Sequence, residues 1–282
     1  MLYLMRLLLL TALFAGLRAH AASVVQTPVG TGAGTPTTTT ASISPALGST
    51  VTSGNAVIVG FDFDVSAGTP GYSVTDDKGN TYTIVTPVSD SFSGMSNSIA
   101  YAFNLTNAPK TITITVTSTT STTIHIDATV YEVSGVGAID VSTSGTNAIG
   151  TALLASFTTA AASEFALMVD SISSAATYTQ NNGWTQDYTN AFGPNFYFHN
   201  ILASSGANSM SATSSASIHH AWVVATFKAG GATCTNNFWS STGAYAIPNG
   251  TTGSYWSTTG AFATPNCSTG SYWLKSGAVG AN

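Results

Sequence analysis

Apolar and polar residues alternate with a period of two through most of the chain beyond residue 22, and that period belongs to strands rather than helices. In TITITVTS (111–118), Ile112, Ile114 and Val116 share one face and threonines the other. AVIVGFDFDV (56–65) sets Val57, Val59, Phe61, Phe63 and Val65 on one face, with Asp62 and Asp64 opposite. TIHIDATVYEV (123–133) sends Ile124, Ile126, Ala128 and Val130 inward and His125, Asp127, Thr129 and Tyr131 outward. Further strands are predicted at 80–86, 98–104, 151–157, 164–172, 195–203, 208–213 and 218–228. Beyond the N-terminus, no stretch places apolar residues at i, i+3, i+4 and i+7 between caps. Short strands punctuated by Gly, Pro, Asn and Ser predict an all-β fold. The expected form is an antiparallel, jelly-roll-like two-sheet sandwich, each sheet having one buried and one solvated face.

The order of strands and breaks in 101–135 is similar to that in 197–230, and 56–64 stands opposite 164–172. KGNTYT (78–83) likewise faces NGWTQD (182–187), and the offset sets His125 against His220. A sandwich over 22–229 built from two similar halves, about 51–135 and 150–230, is the expectation. The low-complexity stretch VGTGAGTPTTTTAS (29–42) reads as a flexible loop or linker leading to the first long strand.

From Phe238 a different regularity begins: FWSSTGAYAIPNGTTGS, then YWSTTGAFATPNCSTGS, then YWLKSGAVGAN, with a period of 17 and no gap. Trp239, Trp256 and Trp273 recur, as do Gly243, Gly260 and Gly277, and Pro248-Asn249 returns as Pro265-Asn266. Short repeats of one supersecondary unit stack to bury a face that one copy cannot bury alone. The region 233–282 is therefore expected to be a small β-repeat appendage, with a boundary near Gly230-Gly231.

These segments together resemble a family of exported bacterial β-sandwich modules. The resemblance rests on Ser53-Gly54 before a strand, DDKGNTY (76–82), YAF (101–103), TITITV (111–116), VYEVSGV (130–136) and AWVVATFK (221–228), and covers roughly residues 24–229. It implies a jelly-roll-like or immunoglobulin-like module of a surface or secreted protein. The shared motifs are structural rather than catalytic, and the ligands of such modules are mostly unassigned.

The N-terminus supports export. Residues 1–21 carry Arg6, an apolar run from Leu7 to Leu17 and an A-x-A pattern at Ala19–Ala21, the layout of a signal peptide cleaved after Ala21. The alternative is a short retained anchor, but the run is shorter than the roughly 20 residues that span a bilayer, and no later segment is long and apolar enough. Without Arg6 and Arg18 the chain keeps four lysines and no arginine against nine Asp and two Glu, a formal charge of 4 − 11 = −7. Nucleic-acid binding rests on clustered Lys and Arg, and the sequence has no such cluster, so no nucleic-acid partner is expected. The implied location is secreted: extracellular, surface or periplasmic.

Candidate chemistry is sparse, and no cofactor is implied. Asp76, Asp77 and Asn80 offer hard oxygens to a metal, or else hold a tight hairpin at Gly79. Asp62 and Asp64 share a face as paired acids do in glycosidases, but any two same-face strand residues have that separation, and solvated edge carboxylates are the expectation. His125 and Asp127 share a strand face, yet no nucleophile elbow accompanies them. A zinc site from His125, His220 and an acid requires the halves to pair. Trp239, Tyr255, Trp256, Tyr272 and Trp273 read either as the core or assembly surface of the repeat tail, or as a platform stacking on sugar rings. The implied partners are accordingly another copy of the chain or glycans. Cys234 and Cys267 are the only cysteines, and export makes a disulfide between them the expectation. The function expected is a secreted, non-enzymatic surface, adhesion or assembly module. The alternatives are a carbohydrate-binding module and, behind it, a secreted hydrolase.

Overall fold

The computed structural model describes residues 21–89, 94–172, 174, 176–189 and 195–229, and beyond Gly230 seven short strand segments. The described residues are all-β, in two antiparallel sheets packed on each other. The first sheet holds eight strands: β1 (Ser23–Val24), β2 (Val29–Ile43), β3 (Ala56–Val65), β4 (Pro70–Asp76), β5 (Thr83–Ile84), β6 (Val88–Ser89), β7 (Met95–Ala102) and β8 (Ile112–Ser134). The second holds six: β9 (Ala138–Thr159), β10 (Glu164–Ile172), β11 (Tyr178–Gln180), β12 (Thr185–Thr189), β13 (Asn195–Leu202) and β14 (Gly206–Lys228). Their connectivities match. β8-β3-β7-β5 in one corresponds to β14-β10-β13-β12 in the other, with β2 and β4 also on β8 and β9 and β11 also on β14.

Long strands let each sheet fold back on itself. The first part of β8, Ile112–Ser118, pairs with β4 and with the end of β2, while Ile124–Val133 pairs with β3 and the start of β2. The β2 ladder shifts register between Thr35 and Thr40, and there the sheet turns. VGTGAGTPTTTTAS is thus strand, not loop: its Gly and Thr residues pair along β8. The turn brings β4 over β3, with the Tyr72 and Phe63 rings 5.5 Å apart. The alternating face then closes on itself: Ile112, Ile114, Val116, Ile124 and Ile126 are buried with Val57, Val59, Phe61 and Phe63. The opposite face of the outer segment is wet, as alternation predicts, and Thr115 and Thr113 hydrogen-bond Ser42 and Ser44 at 2.8 and 3.0 Å. In the second sheet Leu153, Ala155, Met210 and Ala212 pack with Met168, Phe196, Phe198 and Trp184.

The inner strands depart from the one-wet-face expectation. A third apolar layer lies between the sheets, formed by Ile58, Ile99, Tyr131 and Val133 against Phe165, Leu167, Val169, Tyr197, Val223 and Phe227. The side of β8 expected to be solvated is buried: Asp127, Thr129 and Tyr131 are 2%, 0% and 0% exposed. The physical reason is visible in β3, where Ala56, Ile58 and Gly60 are apolar as well as their neighbours. A near-continuous apolar run marks a strand covered on both faces.

Residues from Gly230 onward belong to a compact unit apart from that of residues 20–229. Its strands are β15 (Cys234–Thr235), β16 (Phe238–Ser240), β17 (Tyr245–Ala246), β18 (Thr251–Thr252), β19 (Tyr255–Ser257), β20 (Phe262–Ala263) and β21 (Tyr272–Leu274). Every pairing is parallel and one repeat apart: Cys234 with Thr251, Trp239 with Trp256, Tyr245 with Phe262, Tyr255 with Tyr272, Trp256 with Trp273. Successive repeats stack in register, as in a solenoid.

Candidate functional site

The principal concentration of polar chemistry lies between the sheets. Asn97 on β7, Asp62 on β3 and Asp127 on β8 are register partners across three adjacent strands. Opposite them, Asn195, Ser171 and Ala221 are register partners on β13, β10 and β14. Tyr197 donates its hydroxyl to Asp62 Oδ1 at 2.9 Å. Asn97 Nδ2 donates to Ser171 Oγ at 2.9 Å and to the Ala221 carbonyl at 2.6 Å, and Asn195 Nδ2 stands 3.5 Å from Asp127 Oδ2. All of these side chains are buried. Asp62 Oδ2, Asn97 Oδ1 and Asn195 Oδ1 receive no hydrogen bond. Burial, and then the neighbouring Asp127, push the Asp62 carboxyl well above the usual carboxylate range, although the Tyr197 hydroxyl pulls the other way.

Two Tyr–Asp–His clusters lie nearby. Tyr131 donates to Asp187 Oδ2 at 2.7 Å, and His199 Nδ1 lies 2.6 Å from the same oxygen, its ring stacked on Phe165. Inside the second sheet's own core, Tyr178 donates to Asp170 Oδ2 at 2.6 Å and lies 2.8 Å from His220 Nδ1, itself 3.2 Å from Asp170. Burial, followed by Asp170, drives the Tyr178 hydroxyl far above its ordinary range. In the first cluster the carboxylate lies between a phenol and an imidazole; in the second, Tyr178, Asp170 and His220 contact one another in a triangle. Hydrogen bonds of this kind orient the side chains that share them. Two shallow depressions, of about 370 and 400 Å³, are bordered by Ser156, Thr158 and Asn208 and by Tyr101, Ser142 and Ser144, away from both clusters.

The residues singled out from the sequence fall as follows. Asp76 Oδ1 accepts the Lys78 and Asn80 amides at 2.9 and 3.1 Å, and its Oδ2 accepts Asn80 Nδ2 and the Tyr82 hydroxyl at 2.8 and 3.0 Å. Asp77 Oδ1 accepts the Lys110 amide at 3.0 Å, a bond that heads the causes lowering its pKa. Gly79 supplies a φ of +76° with open space around it. These carboxylates hold the turn and its neighbouring strand. Asp62 and Asp64 are not solvated edge carboxylates: Asp62 is 0% exposed and Asp64 half-buried, with His125 as its register partner. The zinc set from His125, His220 and an acid is also corrected. His125 lies on the inter-sheet side with its ring over Gly34, whereas His220 lies in the second sheet's own core beside Tyr178. The His125–His220 correspondence slips by one residue, and a one-residue slip exchanges strand faces. Among the described residues no group of three or more His, Cys, Asp or Glu is arranged to hold a metal.

Trp239, Tyr255, Trp256, Tyr272 and Trp273 occupy β16, β19 and β21, in register with their equivalents one repeat away. Cys234 lies in β15; Cys267 lies outside the described residues, as do the first 20 residues of the expected signal peptide. No helix among the described residues is long and apolar enough to cross a membrane. Sequence reasoning missed Asn97, Asn195, Tyr197, Asp187, His199 and Tyr178. Only Asp170 left a trace, as a charge directly after the apolar run Phe165–Val169.

Comparison of the chain with protein-family models, curated proteins and solved structures finds no match. The resemblance to exported bacterial sandwich modules accordingly rests on its motifs alone.

Proposed function

We propose that the chain is a secreted, non-enzymatic surface or assembly module, in which a two-sheet sandwich carries a stack of aromatic repeats. The observation that supports this most is the in-register, parallel pairing of strands one repeat apart, Trp239 to Trp256 to Trp273. A parallel stack leaves the outer edges of its end strands without a partner from the same ladder, and such edges template further pairing. The layout of residues 1–21 supports export. The reading is non-enzymatic; the His199–Asp187 and His220–Asp170 contacts are each shared with a tyrosine.

The same rows favour a second reading, carbohydrate binding. Tyr255-Trp256 beside Tyr272-Trp273 sets equivalent aromatics at the roughly 4.8 Å spacing of paired strands. One experiment separates the two. Mature protein starting at Ala22, and a version ending at Gly231, are compared by sedimentation velocity and by tryptophan fluorescence against soluble polysaccharides. Tail-dependent association with no response to glycans supports assembly. Tail-dependent quenching by a glycan, without association, replaces it with the carbohydrate reading. A monomer silent to every polysaccharide overturns both.

A further inference from the structure

One amine and two carboxyl groups meet at one end of the second sheet, apart from the polar row and independent of the proposed function. We propose that Lys228 and Asp140 become joined by an autocatalytic amide bond between their side chains, with Glu164 as the proton carrier.

Three neighbouring strands bring the groups together. β14 lies between β9 and β10, and Lys228, its last residue, stands beside the first residues of both. Lys228 pairs with Ala138, Phe227 with Ile139 and Thr226 with Val141, so Asp140 is an extra residue on β9. A bulge of this kind re-aims a side chain, and here Asp140 Oδ1 lies 2.5 Å from Lys228 Nζ. The nitrogen is thus one C–O bond away from the carbon it attacks. Asp140 Oδ2 accepts the Ala160 amide, also at 2.5 Å. Glu164 opens β10, is 0% exposed, shares a hydrogen bond with Asp140 and accepts the Ala161 amide at 3.0 Å.

The second carboxyl makes this more than an ion pair. Two carboxyl groups that share a hydrogen bond hold a proton between them. Burial raises the Glu164 carboxyl, against the bonds from Thr226 and Ala161. Burial acts on Asp140 as well, but the Ala160 amide and then Lys228 outweigh it and hold that carboxyl low. The shared proton therefore resides on Glu164. The hydrogen bond to Asp140 raises Lys228 in turn, so the resting state is an ammonium beside a carboxylate. Nucleophile, electrophile and acid are in contact, and the Asp140 side chain is only 5% exposed.

The reaction balances within these groups. The ammonium passes one proton to Asp140 Oδ1, leaving a neutral amine and a carboxylic acid. The nitrogen then attacks Cγ, and the Ala160 amide stabilises the charge that gathers on Oδ2. Glu164 gives its proton to the departing hydroxyl, the Cγ–Oδ1 bond breaks, and water leaves. Glu164 takes a proton from the nitrogen and ends as it began. Amide condensation is poor between free solutes in water, but groups fixed in contact react at effective molarities of about 10⁵–10⁸ M. The bond ties the end of β14, where the chain leaves the sandwich, to the start of β9.

Intact-mass spectrometry of the mature full-length chain, denatured and with its cysteines reduced, reads the bond directly. The expected mass is that of the sequence less one water, and a proteolytic digest should contain one branched peptide joining the segments around Asp140 and Lys228. Lys228→Arg should restore the full sequence mass. Glu164→Gln, checked for folding by circular dichroism, should leave most chains unlinked. A wild-type chain at its full sequence mass overturns the proposal, and that readout needs no variant to fold. A loss of water that survives Lys228→Arg also overturns it, because the dehydration then lies elsewhere, as in a succinimide. Complete linkage in Glu164→Gln overturns the part assigned to Glu164.

Discussion

Replacing Gly60 by alanine probes the packing of the two sheets with a single methyl group. Gly60 lies on the inter-sheet side of β3, in extended backbone, so its value is space rather than an unusual φ. A Cβ there would meet Val169 Cγ2 at 2.8 Å, Tyr197 Cδ1 at 3.0 Å and Leu167 Cδ2 at 3.3 Å, all from the opposite sheet. Comfortable carbon contacts begin at roughly 3.5 Å, so the valine methyl must retreat by about 0.7 Å. Val169 is β-branched with a stiff χ1, and its neighbours are fully buried, so strand β10 itself must shift. Overpacking of this sort costs about 1–3 kcal/mol. Loss of glycine's freedom in the unfolded chain returns about 0.4–1 kcal/mol. Taking the middle of both ranges, the net expectation is a destabilisation of about 1.3 kcal/mol, or roughly 3–5 °C in thermal midpoint for a domain of this size. Urea unfolding followed by far-UV circular dichroism measures it. Gly48→Ala is the control, because Gly48 is exposed and a Cβ there meets only Gln26 Oε1, at 3.5 Å. Equal midpoints for the two variants would refute the inter-sheet contact on which the third apolar layer rests.

Glu132 accepts the Thr52 amide at 2.8 Å, Asn55 Nδ2 at 2.6 Å and Gln26 Nε2, and so ties the first residues and the 47–55 segment to β8. Burial raises its carboxyl, but these bonds outweigh burial and hold it below the usual range. Its stabilisation is therefore complete above about pH 4.3, the ordinary glutamate value, and is lost as pH falls through the lower folded value. Glu132→Gln should cost about 1–3 kcal/mol at pH 7 and shrink the loss of stability on acidification; an unchanged acid limb in pH-dependent urea melts would contradict this. Tyr178→Phe removes the 2.6 Å donor to the buried Asp170 and should cost about 1–3 kcal/mol, with calorimetry as the check and a neutral result ruling out that bond. A chain ending at Gly231 should keep the thermal midpoint of the sandwich, because residues 20–229 form their own compact unit; a shift beyond a few degrees would contradict that independence.

The alternation in TITITVTS and TIHIDATVYEV named the residues of the first sheet's own core, but it read as two strands what the structure joins into the single β8. The sequence was less informative wherever both faces of a strand were covered. Asp127 and Tyr131 occupy outward positions on β8, and alternation alone assigns such positions to water. His125 and His220 looked equivalent in a loose alignment, but one residue of slip moved them to different layers. The polar row between the sheets joins residues 62, 97, 127, 171 and 195, and no local pattern connects positions so far apart.

By itself the sequence determined the all-β class, because period-two alternation is a property of neighbouring residues. It also determined the 17-residue repeat, whose equivalent positions pair in parallel one copy apart. Only the tertiary structure decided that the sheets fold over their own cores and then pack back to back. Only that packing turned Asp62, Asp127, Asn97 and Asn195 from surface residues into a buried oxygen cluster. The reason is physical: which face of a strand is dry depends on what lies against it, and that partner is remote in sequence.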